Sequence, residues 1–115
     1  LLLGNLPESS FTSVYVMFPD PWPKTRHAKR RIFSPSMLDK LAFCLKPEGS
    51  LRFASDHPVA KSWLLAEVLR NSAFSWTAQS AKDWRLRPSN WPKSRYMVKG
   101  EDEGRASSWF DFKRN

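Results

Sequence analysis

The stretch SVYVMFPDP, residues 13–21, decides the fold. Residues 13–18 are dominated by β-branched and aromatic side chains without clear polar alternation, the pattern of a strand covered on both faces, as in a parallel sheet. Pro19 and Pro21 end the strand abruptly, because proline cannot donate to a sheet ladder. Downstream, residues 34–45 predict a helix: Ser34 suits the N-cap, Pro35 the first helical position, and Met37, Leu38, Leu41 and Leu45 line one face. Lys46-Pro47-Glu48-Gly49 stops it, and residues 50–54, SLRFA, predict a second strand. Asp56 or His57 then caps a second helix, with Pro58 in its first turn, reaching about Arg70 and presenting Val59, Trp63, Ala66 and Leu69 as its apolar face. Asn71 suits the turn that follows. Residues 73–78 and 107–112 predict a third and a fourth strand, separated by a long basic loop.

Strands alternating with helices imply parallel pairing through right-handed crossovers, hence an α/β fold of about four strands and two main helices. In such sheets ligands bind outside the carboxyl ends of the strands. That rule singles out Pro19 to Arg31 and Ser55 to Pro58, each with an acid at its strand end, Asp20 and Asp56.

With 115 residues, the length fits one domain. One cysteine excludes a disulfide scaffold and a cysteine-built zinc site, and His27, His57 and Cys44 have no spacing that gathers three metal ligands. Cys44, on the inner side of a helix, reads as a small buried apolar residue. No apolar run approaches the roughly 18 residues of a membrane span, and no basic segment precedes a long apolar one as in a signal peptide. A soluble, cytoplasmic domain is the expectation. Charge is more informative: the net value is +8, and two short segments hold all of the excess, residues 24–31 and residues 82–99, each contributing +5. Both lie beside Trp-Pro and read as loops. Such a balance calls for an anionic partner, and a nucleic acid wants fixed cations for its phosphates and aromatic faces for its bases. Trp22, Trp84 and Trp91 sit in these loops as candidate base stackers, whereas Trp63 reads as core and Trp109 as mixed.

FPDPWPKTRHAKRR, residues 18–31, is the segment that carries chemistry. Asp20 between two prolines, with Trp22 beside it, can grip a flat, nitrogen-rich ring: the acid accepts from ring N–H and amino groups, and the indole stacks. Guanine offers such donors on one edge. Lys24, Arg26, Lys29, Arg30 and Arg31 can hold phosphates around a base so presented.

These residues resemble the signature of the bacterial tRNA (guanine-N7-) methyltransferases, a class I AdoMet-dependent family. LKPEGSLRFASD, residues 45–56, resembles the passage into that family's second acidic site, SRYMVKG, residues 94–100, its T-[KR]-[FY]-E-x-[KR]-G motif, and GRASSWFDFKR, residues 104–114, its last strand. The resemblance implies methyl transfer from S-adenosyl-L-methionine to guanine N7 in the variable loop of tRNA. It implies Asp20 as the active-site acid, near both donor and guanine, and Lys24 and Asp56 as substrate-binding residues. Ser94, Arg95, Tyr96 and Met97 fall on the substrate motif; Ser94 replaces the usual Thr, and Met97 replaces a Glu whose hydrogen bonds a thioether does not reproduce. Arg26, His27, Lys29, Arg30 and Arg31 fall on the RNA-interacting stretch.

The donor's usual binding turn is glycine-rich, yet this chain has four glycines, Gly4, Gly49, Gly100 and Gly104, and no G-x-G pair. Together with an opening, LLLGNLPESSF, that reads as the tail of an element, this makes residues 1–115 look like the carboxyl half of a Rossmann-like methyltransferase domain without the amino-terminal AdoMet-binding half. Its first strand is then expected in mid-sheet with a partner missing, and the isolated segment to bind no donor and to be self-associated or poorly stable unless residues 1–12 fold back over that edge. Two other readings stay open: a non-catalytic RNA-binding module that keeps the basic loops, and a structural partner that completes another chain's sheet.

Overall fold

The computed structural model describes residues 7–86 and 107–115. Four strands form one sheet, β1 (Phe11–Met17), β2 (Leu45–Ser55), β3 (Phe74–Trp76) and β4 (Ser108–Arg114), in the order β1-β2-β4-β3. Helices α1 (Pro35–Cys44), α2 (Pro58–Arg70) and the short α3 (Lys82–Arg85) complete the described elements, with a 3₁₀ helix over Thr25–Arg30. The α/β class is as expected.

Parallel pairing holds for β1 with β2, but β4 runs antiparallel to both β2 and β3. Strand–helix alternation predicts parallel neighbours only where a helical crossover joins them, and the sequence has no such pattern between its third and fourth strands. β1, β2 and β3 thus share one direction, with β4 wedged against it. β1 is not covered on both faces either. It pairs with β2 alone among the described strands, at the sheet's edge, with Thr12, Ser13 and Tyr15 exposed.

α1 begins as its residues dictate: the Ser34 hydroxyl accepts from the Met37 amide at 3.2 Å, and Pro35 occupies the first turn. Leu38, Leu41, Ala42 and Cys44 are buried, and Leu45, read as helical, is the first residue of β2. The tract expected to stop the helix instead lies within β2. Phe11 pairs with Leu45 and Ser13 with Ser50, so Lys46–Gly49 forms an irregularity in the ladder. Glycine is required there, because a Cβ on Gly49 would stand 2.7 Å from the Lys46 carbonyl oxygen and 3.2 Å from that of Thr12.

Of the two candidate caps of α2, His57 is the one used: its Nδ1 accepts from the amides of Val59 at 3.2 Å and Ala60 at 3.4 Å. The apolar face is rotated from the expected one. Ala60, Trp63, Leu64 and Val68 are buried, while Val59 and Leu69 are exposed. Leu64 and Val68 continue the i, i+4 row of Ala60, and the row through Val59 and Leu69 falls on the water side.

The main core lies on one face of the sheet, where Val14, Val16, Leu51, Phe53, Phe110 and Phe112 meet α1 and α2. On the other face Met17 and Phe18 pack with Ala54 and Trp109. The adjacent row on that face is polar. Tyr15, Arg52 and Asp111 are register partners across β1, β2 and β4; Arg52 Nη1 donates to the Tyr15 hydroxyl at 2.6 Å, and its Nε lies 3.4 Å from Asp111 Oδ2. Burial raises the Asp111 pKa above the usual carboxylate value, against the opposing pull of Arg52 and then Lys113. Two consequences can be measured. Carboxyl titration by NMR should place Asp111 above 3.8, and Arg52→Met should raise it further. Because the folded state then holds a proton that the unfolded state has released, stability falls as pH rises from 3.8 through the raised value. Asp111→Asn should flatten that part of the profile.

Candidate active site at the strand carboxyl ends

Met17 pairs with Ala54 at the end of the parallel ladder, so the segments carrying Asp20 and Asp56 leave neighbouring strands at one edge of the sheet. After Met17 the chain turns sharply. Phe18 has φ 52° and Trp22 φ 39°, left-handed conformations that bulky residues rarely adopt. Between them Asp20 is exposed on a backbone stiffened by Pro19 and Pro21.

The turn is held from two sides. The Phe18 amide donates to the Ala54 carbonyl at 2.8 Å, continuing the sheet by one bond. On the far side of Asp20, the Trp63 indole Nε1 donates to the Pro21 carbonyl at 2.7 Å, and Arg31 Nε donates to that of Trp22 at 3.1 Å. The Arg31 guanidinium also lies over the Trp63 ring, 5.3 Å from its centroid. Asp56 is buried, directly before the His57 cap of α2. The helix that follows the second acid therefore braces the turn that carries the first.

The basic run is not a loop but a 3₁₀ helix, Thr25–Arg30, after Lys24. Its three-residue period sends its side chains in different directions. Lys24, Arg26 and Lys29 are exposed. Arg30 is exposed too, yet its guanidinium stands 5.1 Å from the Trp22 ring centroid. His27 is half-buried with its ring edge-on to Trp22 at 5.3 Å, and Arg31 is half-buried in the contacts just described. Trp22 thus already has two neighbours within its own segment.

Lys82–Arg85, expected in a loop, is the short helix α3. Its Trp84 borders a cleft of about 310 Å³ with Pro58, Lys61, Trp76, Ser108 and Phe110, and the Arg85 guanidinium lies 4.8 Å from the Trp84 ring centroid. Trp63 and Cys44 are buried as expected, and Trp109 is buried rather than mixed. Trp91, Ser94, Arg95, Tyr96 and Met97 lie outside the described residues. Among the described residues no group of three or more His, Cys, Asp or Glu side chains could hold a metal ion, and no helix is long and apolar enough to cross a membrane.

Sequence reasoning missed the part played by Trp63 and Arg31. One reads as core and the other as one cation among five, and the 42 residues between Trp63 and Pro21 leave no local signal.

Sequence comparison with known proteins gives the family. The family described as "Putative methyltransferase" matches residues 1–108. A tRNA (guanine-N(7)-)-methyltransferase of Azorhizobium caulinodans is 48% identical over 114 residues, which are 99% of this chain and 50% of the relative. Proteins of the same name from Rhodospirillum rubrum and Agrobacterium fabrum are 43% and 44% identical over 113 residues, 98% of this chain and 44% and 49% of theirs. The chain spans about half the length of the curated relatives it matches. Matched over nearly all of its length, the chain belongs to this methyltransferase family.

Proposed function

We propose that this chain is the carboxyl half of an enzyme domain that methylates guanine N7 in tRNA, with S-adenosyl-L-methionine as donor. The observation that carries the reading is Asp20, an exposed carboxylate on a rigid turn at the carboxyl end of β1, followed by Lys24, Arg26 and Lys29. The name that the relatives share supports it. We place the target at position 46, in the variable loop, and the enzyme in the cytoplasm.

The donor supplies an electrophilic methyl group carried on a sulfonium. An exposed carboxylate suits that cation and the positive charge that grows on the purine, whereas a glycine-rich cradle for the rest of the donor is absent from these residues. Guanine N7 has a free lone pair, so the site needs no base to remove a proton. Asp20 orients the guanine and stabilises the cationic product. Lys24 and the buried Asp56 bind the guanine, and the motif resemblance adds Ser94, Arg95, Tyr96 and Met97 as substrate-binding residues. Arg26, Lys29 and Arg30 contact tRNA phosphates, while His27 and Arg31 serve the RNA by shaping the segment that carries those cations.

Radiolabelled donor and unmodified tRNA, with the natural polypeptide that contains these residues, test the reading. Label should appear as 7-methylguanosine, and tRNA carrying 7-deazaguanosine at position 46 should take up none. Label at another atom, or equal labelling of the 7-deaza tRNA, overturns it. Isolated residues 1–115 should show no donor binding by calorimetry and should self-associate in sedimentation, because exposed sheet edges recruit other chains.

The alternative of an RNA-binding module without catalysis shares one measurement with this reading. Neutralising Lys24, Arg26 or Lys29 should each flatten the log–log salt dependence of tRNA affinity by roughly 0.7–0.9. Neutralising Arg30 and Arg31 together should flatten it by clearly less than twice that amount, since Arg31 is engaged with Trp22 and Trp63. Unchanged slopes would show the run to be a solvated face.

A further inference from the structure

Among the described residues the Asp20 carboxylate has no hydrogen-bond or ion-pair partner: the prolines on either side lack N–H groups, and the side chain is exposed. Its position is inherited from the backbone. Upstream, that backbone is fastened to the sheet through the Phe18 amide. Downstream, two side chains donate to its carbonyls, the Trp63 indole to Pro21 at 2.7 Å and the Arg31 guanidinium to Trp22 at 3.1 Å. The two donors also touch each other, with the guanidinium 5.3 Å from the indole ring centroid. Trp63 is 7% exposed, so its N–H bond is shielded from competing water. Left-handed φ values at Phe18 and Trp22 persist only where surrounding contacts hold them.

We propose that Trp63 and Arg31 are positioning residues for Asp20, forming a clamp from α2 and the basic run that sets where the carboxylate stands. The inference rests on the methyl-transfer reading for its effect on turnover, but not for the clamp itself. It also divides the basic run by role: Lys24, Arg26 and Lys29 face outward to the anion, while Arg31 faces inward to the turn. The same helix carries Trp63 and starts just after Asp56, so the clamp ties the two acidic strand ends into one frame.

An aromatic residue that only fills core tolerates loss of its N–H; a clamp does not. Trp63→Phe keeps an aromatic side chain and removes the donor, and Arg31→Lys keeps the charge and removes the planar fork. Val68→Ala, in the core on the same helix, controls for general loosening. Two readouts are taken on the natural polypeptide: steady-state transfer to tRNA, and hydrogen exchange at the amides of Asp20 and Trp22. Both clamp variants should lower kcat by about tenfold or more, with KM for tRNA within about twofold, because misplacing a reacting group by about 1 Å is enough to cost that much. Both should also speed exchange at the two loop amides, and Val68→Ala should do neither at a temperature where it stays folded. Unchanged exchange in Trp63→Phe overturns the clamp whatever the activity. Faster exchange with unchanged kcat, or an equal loss of kcat in Val68→Ala, overturns the positioning role. Absence of transfer by the wild-type protein overturns the methyl-transfer reading and this role in turnover with it, and leaves the exchange result to decide the clamp.

Discussion

Asp20→Asn should lower turnover by about two to three orders of magnitude, the range seen when one preorganised electrostatic group is removed from an active site. Asparagine keeps the size and shape of the side chain and removes only its charge, which on the proposed reading offsets the positive charge arriving on the purine. Affinity for tRNA should change little, because Lys24, Arg26 and Lys29 remain exposed beside the turn. Losing an anion next to a polyanion should, if anything, tighten binding slightly. The fold should be indifferent as well, since Asp20 is exposed. Single-turnover rates, filter binding and thermal unfolding of the same variant separate these effects. Equal losses in rate and affinity would show that Asp20 only helps to hold the RNA.

Phe53→Ala should be the most damaging change to the fold. Phe53 is fully buried in β2, and its ring meets Phe33 edge-on at 5.2 Å, Phe110 at 5.0 Å and Phe112, stacked, at 5.7 Å. Truncating such a residue costs about 3–5 kcal/mol, through lost transfer energy and the cavity left behind. Whole domains are stable by only about 5–15 kcal/mol, so the variant should keep little cooperative structure. Urea unfolding followed by tryptophan fluorescence measures it, and Phe53→Leu, which refills much of the space, should lose less. A loss below about 1 kcal/mol for the alanine variant would mean that the aromatic cluster is not the centre of the core.

What was legible in the sequence follows from how far each signal travels. Ser34 with Pro35 is a local motif, and α1 starts where they stand. The apolar run of β1 and its proline stop are local too, and the acids at the ends of β1 and β2 lie where the topology rule puts them. The direction of β4 was not legible, since the alternation of residues 108–114 reads the same whichever way the strand runs beside β2 and β3. The rotated face of α2 has a simpler cause. Trp63 suits either of two overlapping apolar rows, and only packing against the sheet selects the one through Leu64 and Val68. At the site, residue types showed where chemistry would gather, but not that Trp22 already has Arg30 and His27 as neighbours. Those contacts depend on a 3₁₀ turn that the charged sequence does not announce.

The place of β4 has a consequence for how the molecule is made. A ribosome delivers β1, β2 and β3 first, yet among the described strands β3 has no partner until Ser108–Arg114 arrives to lie between it and β2. Asn115 then fastens the seam, its amide donating to the Ala73 carbonyl at 2.7 Å and its side-chain nitrogen to that of Ser72 at 2.8 Å. Assembly therefore cannot proceed strand by strand during synthesis. A nascent chain stalled before Ser108 exposes the long side of β2 and leaves α2 without the floor supplied by Phe110 and Phe112. Loss of residues 108–115 takes a plank from the middle of the described sheet rather than from its rim.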